Sequence, residues 1–329
     1  MTKIINLYHN QDDKNLESER FKNDILEGLF NTPKFIPAKY HYDEYGSHLF
    51  NQITHHPDYY LTNCELIAIE KNLNHLIKIF NNFSFNLIEL GPGEGIKTNI
   101  IIESFLKASI SFQYIPIDLS NLYLNKIVEK FNIYKNQFEI LPIHGDYFDS
   151  LKWIKLNSNH KNLVLFLGSS IGNFNQEETQ HFLTQLHTSL HTGDFLLIGF
   201  DLKKDEKEML RAYQDSSGIT KEFNLNVLRH INKVFQSNFN LKKFDYEPLY
   251  NSQNGVIESY LKSLDKQTIY FKTLKQSIHF EKHEMIHMEN SFKYEKAQIQ
   301  EIAKQNGFQI VTEFYDSNQY FVDSLWQII

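Results

Sequence analysis

The sequence predicts an α/β chain: a mostly parallel sheet with helices on both faces, interrupted by an inserted α+β segment. Three observations predict it. Short apolar stretches alternate with amphipathic ones five times between residues 86 and 201. After Asp201 the alternation stops, and helical and then strand-like texture takes over. From Phe292 a helix and two strands follow to the C-terminus.

In chain order, residues 14–35 read as a polar helix followed by stops at Pro33 and Pro37. Residues 61–82 place apolar side chains at helical spacing. The five strands are "NLIEL" (86–90), "FQYIPID" (112–118), "FEILPIHGD" (138–146), "NLVLFLGSS" (162–170) and "DFLLIGFD" (194–201). Between them "GIKTNIIIESFLKA", "NLYLNKIVEKFNIY" and "QEETQHFLTQLHTSLHTG" read as helices, the last stopped by Gly193. Right-handed crossovers join such strands. Residues 204–239 read as helical and 245–290 as a β meander. The end is a helix, "YEKAQIQEIAKQNG", and two strands, "FQIVTEFYD" and "YFVDSLWQI". The expected division is 63–203 plus 289–329 for the sheet domain, and 14–62 plus 204–288 for the second.

Composition narrows the partners. With 41% hydrophobic and 22% charged residues the chain should bury a real core and fold as a soluble globule. A net charge of −7 without a Lys/Arg block disfavours nucleic acid, whose sequence-independent grip needs a positive face. The longest apolar stretches, "LVLFLG" and "FLLIGF", are too short to span a bilayer. The start, "MTKIINLYHNQDDKN", lacks the apolar region of a secretory signal. A single cysteine, Cys64, rules out an intramolecular disulfide, fits a reducing compartment and reads as a buried helix thiol. The expectation is a cytoplasmic monomer acting on a small molecule.

The loop "LIELGPGEGIKT" (87–98) carries the first chemical signal. Ligands of open α/β sheets sit at the carboxyl ends of strands. A dinucleotide fingerprint needs glycine at position 96, which is Ile; a P-loop needs Gly-Lys adjacent, and Ile96 separates Gly95 from Lys97. What remains is E-x-G-x-G-x-G, with Glu89 on the strand and Gly91, Gly93 and Gly95 after it. This resembles the loop of class I methyltransferases, which use S-adenosylmethionine. That ligand has a sulfonium and an amino-acid tail but no phosphate. Glycines admit close approach of the backbone, and a carboxylate such as Glu89 tolerates a cationic tail. Asp118, ending the second strand, is placed for the two ribose hydroxyls. Asp146, with Tyr147 alongside, ends the third, where the adenine amino group is met.

Two segments mimic metal sites. "HEMIH" (283–287) matches the zinc-protease signature H-E-x-x-H, with His279 a further four residues back. Its flanks are strand-like, which opposes the shared helical face that zinc needs. "THHPDYY" (54–60) reads as a turn at Pro57 with aromatics packed below. No metal is expected.

Several segments together resemble one family, the histidine Nα-methyltransferases of ergothioneine biosynthesis and their relatives acting on other amino acids. They are "YDEYGSHLFNQITHHPDYYLTNCE" (42–65), the glycine loop, "YIPIDLS", "HGDYF", "FLGSSIGNF" (166–174), "GFDLKKD" (199–205), "AYQDSSGITKEFNLNVLRHIN" (212–232) and "HMENSFKY" (287–294). The resemblance covers nearly the whole chain in order. It implies a Rossmann-like methyltransferase domain that binds S-adenosylmethionine, with Lys97 in its loop, and an α+β substrate domain built from the N-terminus and an insertion. It also implies that Asn173, Tyr59 and Tyr213 take the acceptor's carboxylate, and that Tyr42 lies near the reacting amine with Phe50 in the same pocket. Glu289 and Ser291 would read the imidazole. Amide and phenol donors suit a carboxylate and avoid a fixed cation near an amine that must become quaternary.

Asn290 stands where relatives carry an aliphatic residue, and Ser259 where a methionine is expected; both bear on the choice of amino acid. The function implied is trimethylation of the α-amine of L-histidine to hercynine. Three alternatives stay open: an aromatic acceptor such as tryptophan, a non-catalytic cofactor-binding protein, and a dinucleotide-dependent oxidoreductase. Glu289 argues against the first, the intact acceptor residues against the second, and Ile96 against the third.

Overall fold

A computed structural model describes residues 3–7 and 11–329, the side chains of 11–17 excepted. The stretch 1–15, read above for a signal, lies partly outside the described residues. In chain order the first elements are β1 (Ile5–Asn6), α1 (Gln11–Phe30), β2 (Lys34–Phe35), α2 (Glu44–Thr54) and α3 (Tyr60–Phe80). Then come β3 (Phe85–Leu90), α4 (Ile96–Lys107), β4 (Phe112–Asp118), α5 (Asn121–Phe131), β5 (Glu139–Ile140), β6 (Ile143–His144) and α6 (Tyr147–Asn157). They are followed by β7 (Lys161–Phe166), α7 (Gln176–Ser189), β8 (Phe195–Asp201), α8 (Glu206–Arg211) and α9 (Ile219–Phe235). The last are β9 (Phe244–Asn251), β10 (Val256–Ser263), β11 (Gln267–Phe271), β12 (Gln276–Phe280), β13 (Met285–Phe292), α10 (Lys296–Gln305), β14 (Phe308–Tyr315) and β15 (Phe321–Ile328).

The chain divides into two compact units. The sheet unit takes Met1–Asn10, of which 3–7 are described, with Leu61–Lys203 and Tyr294–Ile329. Its strand order is β1-β6-β4-β3-β7-β8-β15-β14, with β5 also on β4. The strands from β1 to β8 pair in parallel, and β15 and β14 are antiparallel. Every residue of β3 is buried, as a parallel strand covered on both faces requires. Phe80, Phe85, Phe105, Phe112 and Phe131 pack its core. Because β4 flanks β3 on one side and β7 on the other, the winding direction reverses there. The loop leaving β3 therefore sits at a topological switch point, where open sheets bind ligands. Low on the same strands, at their amino ends, the polar groups are closed on one another. Asn86 donates to Asn162 (2.9 Å), Asn162 donates to Asp194 (2.7 Å), and Asp194 also accepts the backbone N–H of Asn162 and of His191 (3.0 Å each).

Some elements depart from the sequence reading. "FEILPIHGD" forms two short strands rather than one, because Pro142 between them has no N–H to give a ladder. Helix α6 is additional, started by Asp146, whose Oδ1 accepts the N–H of Phe148 (2.8 Å) and Asp149 (3.3 Å). Helix α2 is additional too. Its Asp43 accepts from Gly46 (2.7 Å), and only glycine fits at 46, since a Cβ there would lie 1.8 Å from the His41 carbonyl oxygen.

The second unit takes Gln11–Tyr60 and Lys204–Lys293. It has a four-stranded sheet, β2-β13-β10-β9, and the hairpin β11–β12. Phe21, Ile25, Leu228, Ile231, Phe235 and Phe271 belong to its core. Strand β13 pairs with β10 from Val256↔Phe292 to Lys262↔Met285. That pairing carries Glu289 and Ser291 into the second unit and moves the boundary expected at 288/289 to 293/294. The first boundary falls at 60/61, two residues before the expected one. "HEMIH" forms no helix: His283 sits in a turn with φ +70°, and strand β13 begins at Met285. Glu284 pairs with Lys34 (2.5 Å) and His287 lies 2.8 Å from Oδ1 of Asn290, so these side chains have structural partners.

Candidate active site

In the sheet unit the glycine loop is built on left-handed backbone, with φ of +68° at Gly91, +53° at Gly93 and +62° at Gly95. L-residues adopt this region at a cost of about 1–2 kcal/mol each, so glycine is the residue that fits. The surroundings differ. A Cβ on Gly91 would stand 2.6 Å from the Tyr147 hydroxyl and one on Gly95 2.8 Å from Ile127, whereas one on Gly93 would meet nothing within 4 Å. The middle of the loop thus offers bare backbone to open space, and its end caps α4.

Around this loop stand carboxyls pushed upward. Burial raises Glu89 to about 7 against two hydrogen bonds, from the Thr98 hydroxyl and the Tyr114 phenol. Both carboxyl oxygens are thereby engaged in bracing the loop's flanks. Asp118, ending β4, is raised to about 6 by burial, although it accepts the N–H of Ser120 at 2.7 Å. Asp146 is exposed, with one oxygen used as the cap of α6, and Tyr147 begins that helix, its phenol pushed up by burial. Lys97 meets an internal partner, the carboxylate of Glu65. Sequence reasoning missed that group. Glu65 and Asp323 are both 0% exposed; Glu65 accepts the Gly168 N–H (2.6 Å), and burial together with the Glu65 charge pushes Asp323 well up. Asn173 closes the short helical turn Ser170–Asn173, and its side-chain amide has no hydrogen-bond partner among the described residues.

The second unit gathers the remaining residues into two groups. Tyr42 meets Phe50 edge-on (5.3 Å) and Phe223 (5.6 Å), and Tyr59 packs on the same cluster. Phe223 and the buried His41 stacked on it (4.9 Å) were not picked out from sequence. "THHPDYY" forms the turn foreseen, with His56 2.9 Å from the Ser217 hydroxyl. The other group lies along one face of β13 and its end, at 289, 291 and 293, as the period of two requires. Ser291 and Tyr213 share a hydrogen bond of 2.5 Å, and Lys293 donates to Tyr213 (2.7 Å) and Ser291 (2.8 Å). The sequence reading placed no fixed cation by Tyr213. Lys293 corrects it, 2% exposed and standing over the Tyr213 ring at 4.7 Å. The signal was E-x-S-x-K, an alternation that continues one step past Glu289 and Ser291.

Glu289 keeps part of its surface open, but the protein around its carboxyl raises it to about 7 against the pull of Lys293. Among the described residues it has no hydrogen-bond partner. Its open surface leaves that carboxyl within reach of solvent. On the next strand Ser259 pairs directly with Glu289, and its hydroxyl lies 3.0 Å from that of Tyr246.

Comparison with known proteins shows the family. A family model described as "Histidine-specific methyltransferase, SAM-dependent" matches residues 21–328. The chain is similar to the histidine N-alpha-methyltransferase of Mycolicibacterium smegmatis, 32% identical over 84% of this chain and 85% of that protein. It resembles the Mycobacterium tuberculosis protein of the same name equally, 32% identical over 83% and 84%. Ergothioneine biosynthesis protein 1 of Neurospora crassa is 30% identical over 88% of this chain, which spans 32% of that longer protein.

Proposed function

This chain belongs to the S-adenosylmethionine-dependent, histidine-specific methyltransferase family, and we propose that it adds three methyl groups in succession to the α-amine of L-histidine, giving hercynine for ergothioneine synthesis. The observation that carries the acceptor's identity is Glu289, a half-buried carboxyl raised to about 7 by the protein around it and without a hydrogen bond among the described residues, two residues from the Ser291 hydroxyl on one strand face. A ring with two nitrogens suits that pair: an N–H for the carboxylate and a second nitrogen for the hydroxyl. An analogue without ring nitrogens leaves both groups unpaired, which is costly when buried.

The sheet unit's residues fit a ligand rich in hydroxyls and without phosphate. Gly93 offers unobstructed backbone, and half-buried Asp118 keeps one carboxyl oxygen outside its bond to Ser120. When bound, S-adenosylmethionine supplies a methyl group already activated on a sulfonium. What this chain adds is positioning and desolvation. Gly91, Gly93, Gly95 and Lys97 hold the amino-acid end, Asp118 the ribose hydroxyls, and Asp146 and Tyr147 the adenine. Glu89 acts through the loop it braces. For the acceptor's carboxylate, Asn173 in the sheet unit offers an amide donor, and Tyr59 and Tyr213 in the second unit offer phenol donors. The amine must be neutral to attack, and its proton leaves through the Tyr42 hydroxyl, which passes its own proton on to solvent as it accepts, or through a water that Tyr42 holds. The faces of Tyr42, Phe50 and Phe223 favour the growing ammonium. The reading includes a cytoplasmic monomer. Among the described residues no helix is long and apolar enough to cross a membrane.

The test is direct. Incubation with histidine and methyl-labelled S-adenosylmethionine should yield mono-, di- and trimethylhistidine in sequence by mass spectrometry. Absence of any methylated histidine rejects the reading.

A further inference from the structure

Lys97 stands in the first turn of α4, directly after the glycine loop. Its ammonium is ion-paired with Glu65, which α3 carries from outside that loop. The two partners differ in exposure: 22% of the Lys97 side chain is open, whereas Glu65 is wholly buried. A carboxylate withdrawn from water is costly unless its partners compensate. Here both oxygens are engaged. Oε1 accepts the N–H of Gly168 (2.6 Å), in the loop after β7, and Oε2 takes the Lys97 ammonium. Room for the carboxyl comes from Gly199 on β8, where a Cβ would stand 2.8 Å from Oε1.

Other charged groups act on this pair. Asp323 on β15 lies opposite Gly199 in register, and burial and the Glu65 charge push its carboxyl well up. Glu89 feels the Lys97 charge, but its oxygens accept from Thr98 and Tyr114. Among the described residues, the ion pair of Lys97 is with Glu65. A lysine has a flexible four-carbon stem, and ordering such a side chain at the moment of binding lowers affinity. The tie to Glu65 orders it before any ligand arrives.

We propose that Glu65 is a positioning residue for the methyl donor: anchored by the Gly168 N–H, it holds the Lys97 ammonium where the cofactor's amino-acid end is gripped. The proposal rests on the reading that Lys97 meets that end.

Two ligands separate this role from general support of the fold. S-adenosylhomocysteine carries the amino-acid end, and methylthioadenosine shares its adenine, ribose and thioether but lacks that end. Calorimetry gives the Kd of each. Glu65→Gln keeps the size of the side chain and one oxygen for the Gly168 N–H, and removes the charge that holds Lys97. It should weaken S-adenosylhomocysteine about fivefold and leave methylthioadenosine within about twofold of wild type. Lys97→Met should show the same selective loss, about tenfold. Glu65→Gln added to Lys97→Met should cost no further affinity, since no ammonium remains to be held. Equal weakening of both ligands by Glu65→Gln, no weakening of S-adenosylhomocysteine, or a further loss of about fivefold in the double variant overturns the proposal alone. A folded Lys97→Met that binds S-adenosylhomocysteine as wild type does overturns the reading of Lys97 and the proposal with it. If Lys97→Met does not fold, the contrast between the two ligands in Glu65→Gln decides.

Discussion

The two units present polar chemistry in different ways. In the sheet unit it sits at strand ends: Glu89, Asp118 and the left-handed glycines are positioned by the backbone that carries them. In the second unit it lies along a strand face, where Glu289, Ser291 and Lys293 are held by cross-strand pairing and by one another. The first arrangement suits a ligand gripped largely by backbone and ribose contacts. The second suits discrimination, because an enclosed side chain tolerates only the partner that completes its hydrogen bonds. Substitutions in one unit should therefore alter one binding event and spare the other.

The largest separation is expected at Glu289. Glu289→Ala should lower kcat/KM on histidine roughly hundredfold or more, through loss of a charge-assisted hydrogen bond. The affinity for S-adenosylhomocysteine, measured calorimetrically, should stay within about twofold of wild type. Parallel losses of both would break the comparison.

Asp118→Asn probes the reverse case. Its amide N–H cannot accept from a ribose hydroxyl, so S-adenosylhomocysteine should bind about tenfold more weakly. The same change should stabilise the ligand-free protein at alkaline pH. The Asp118 carboxyl is raised from 3.8 to about 6 in the fold. The stability it contributes is thus present below pH 4 and lost as pH rises through about 6, when the folded chain must ionise an enclosed group. Asparagine stays neutral. Its advantage should open above pH 6 to about 1 kcal/mol, after allowance for screening at a partly exposed position, and close near pH 4. Thermal melts of both proteins across this range check the sign.

The smallest effect on activity should come from the lower edge of the sheet. Asn162→Ala removes one side-chain hydrogen-bond partner from each of Asn86 and Asp194, which should cost about 1–3 kcal/mol of stability and leave KM for histidine unchanged. A shift in KM would mean that the closed network is felt at the other edge.

This contrast also explains what was legible in the sequence. The sheet's strands announced themselves because strands buried on both faces must be continuous apolar runs, as "NLIEL" and "DFLLIGFD" are. The glycine loop was legible because left-handed backbone demands glycine at set positions. Helices α2 and α6 passed unread, since each begins from a lone capping aspartate, Asp43 or Asp146, inside segments read for other features. Glu65 and Asp323 carry no local signature, because their pairing depends on residues far apart in the chain meeting within one core. The Glu289–Ser291 pair came from resemblance rather than pattern, and Lys293 was overlooked though it continues the same alternation. The domain boundary moved for the same reason: only the register of β13 on β10 tells which sheet owns that strand.

The acceptor is the heart of this account, and competition is its most direct test. With histidine and tryptophan supplied together at equal concentration and S-adenosylmethionine limiting, methyl label should enter histidine at least about a hundredfold faster, as expected of a site that reads ring nitrogens by enclosed polar groups. Label appearing on tryptophan at an equal or greater rate would contradict it.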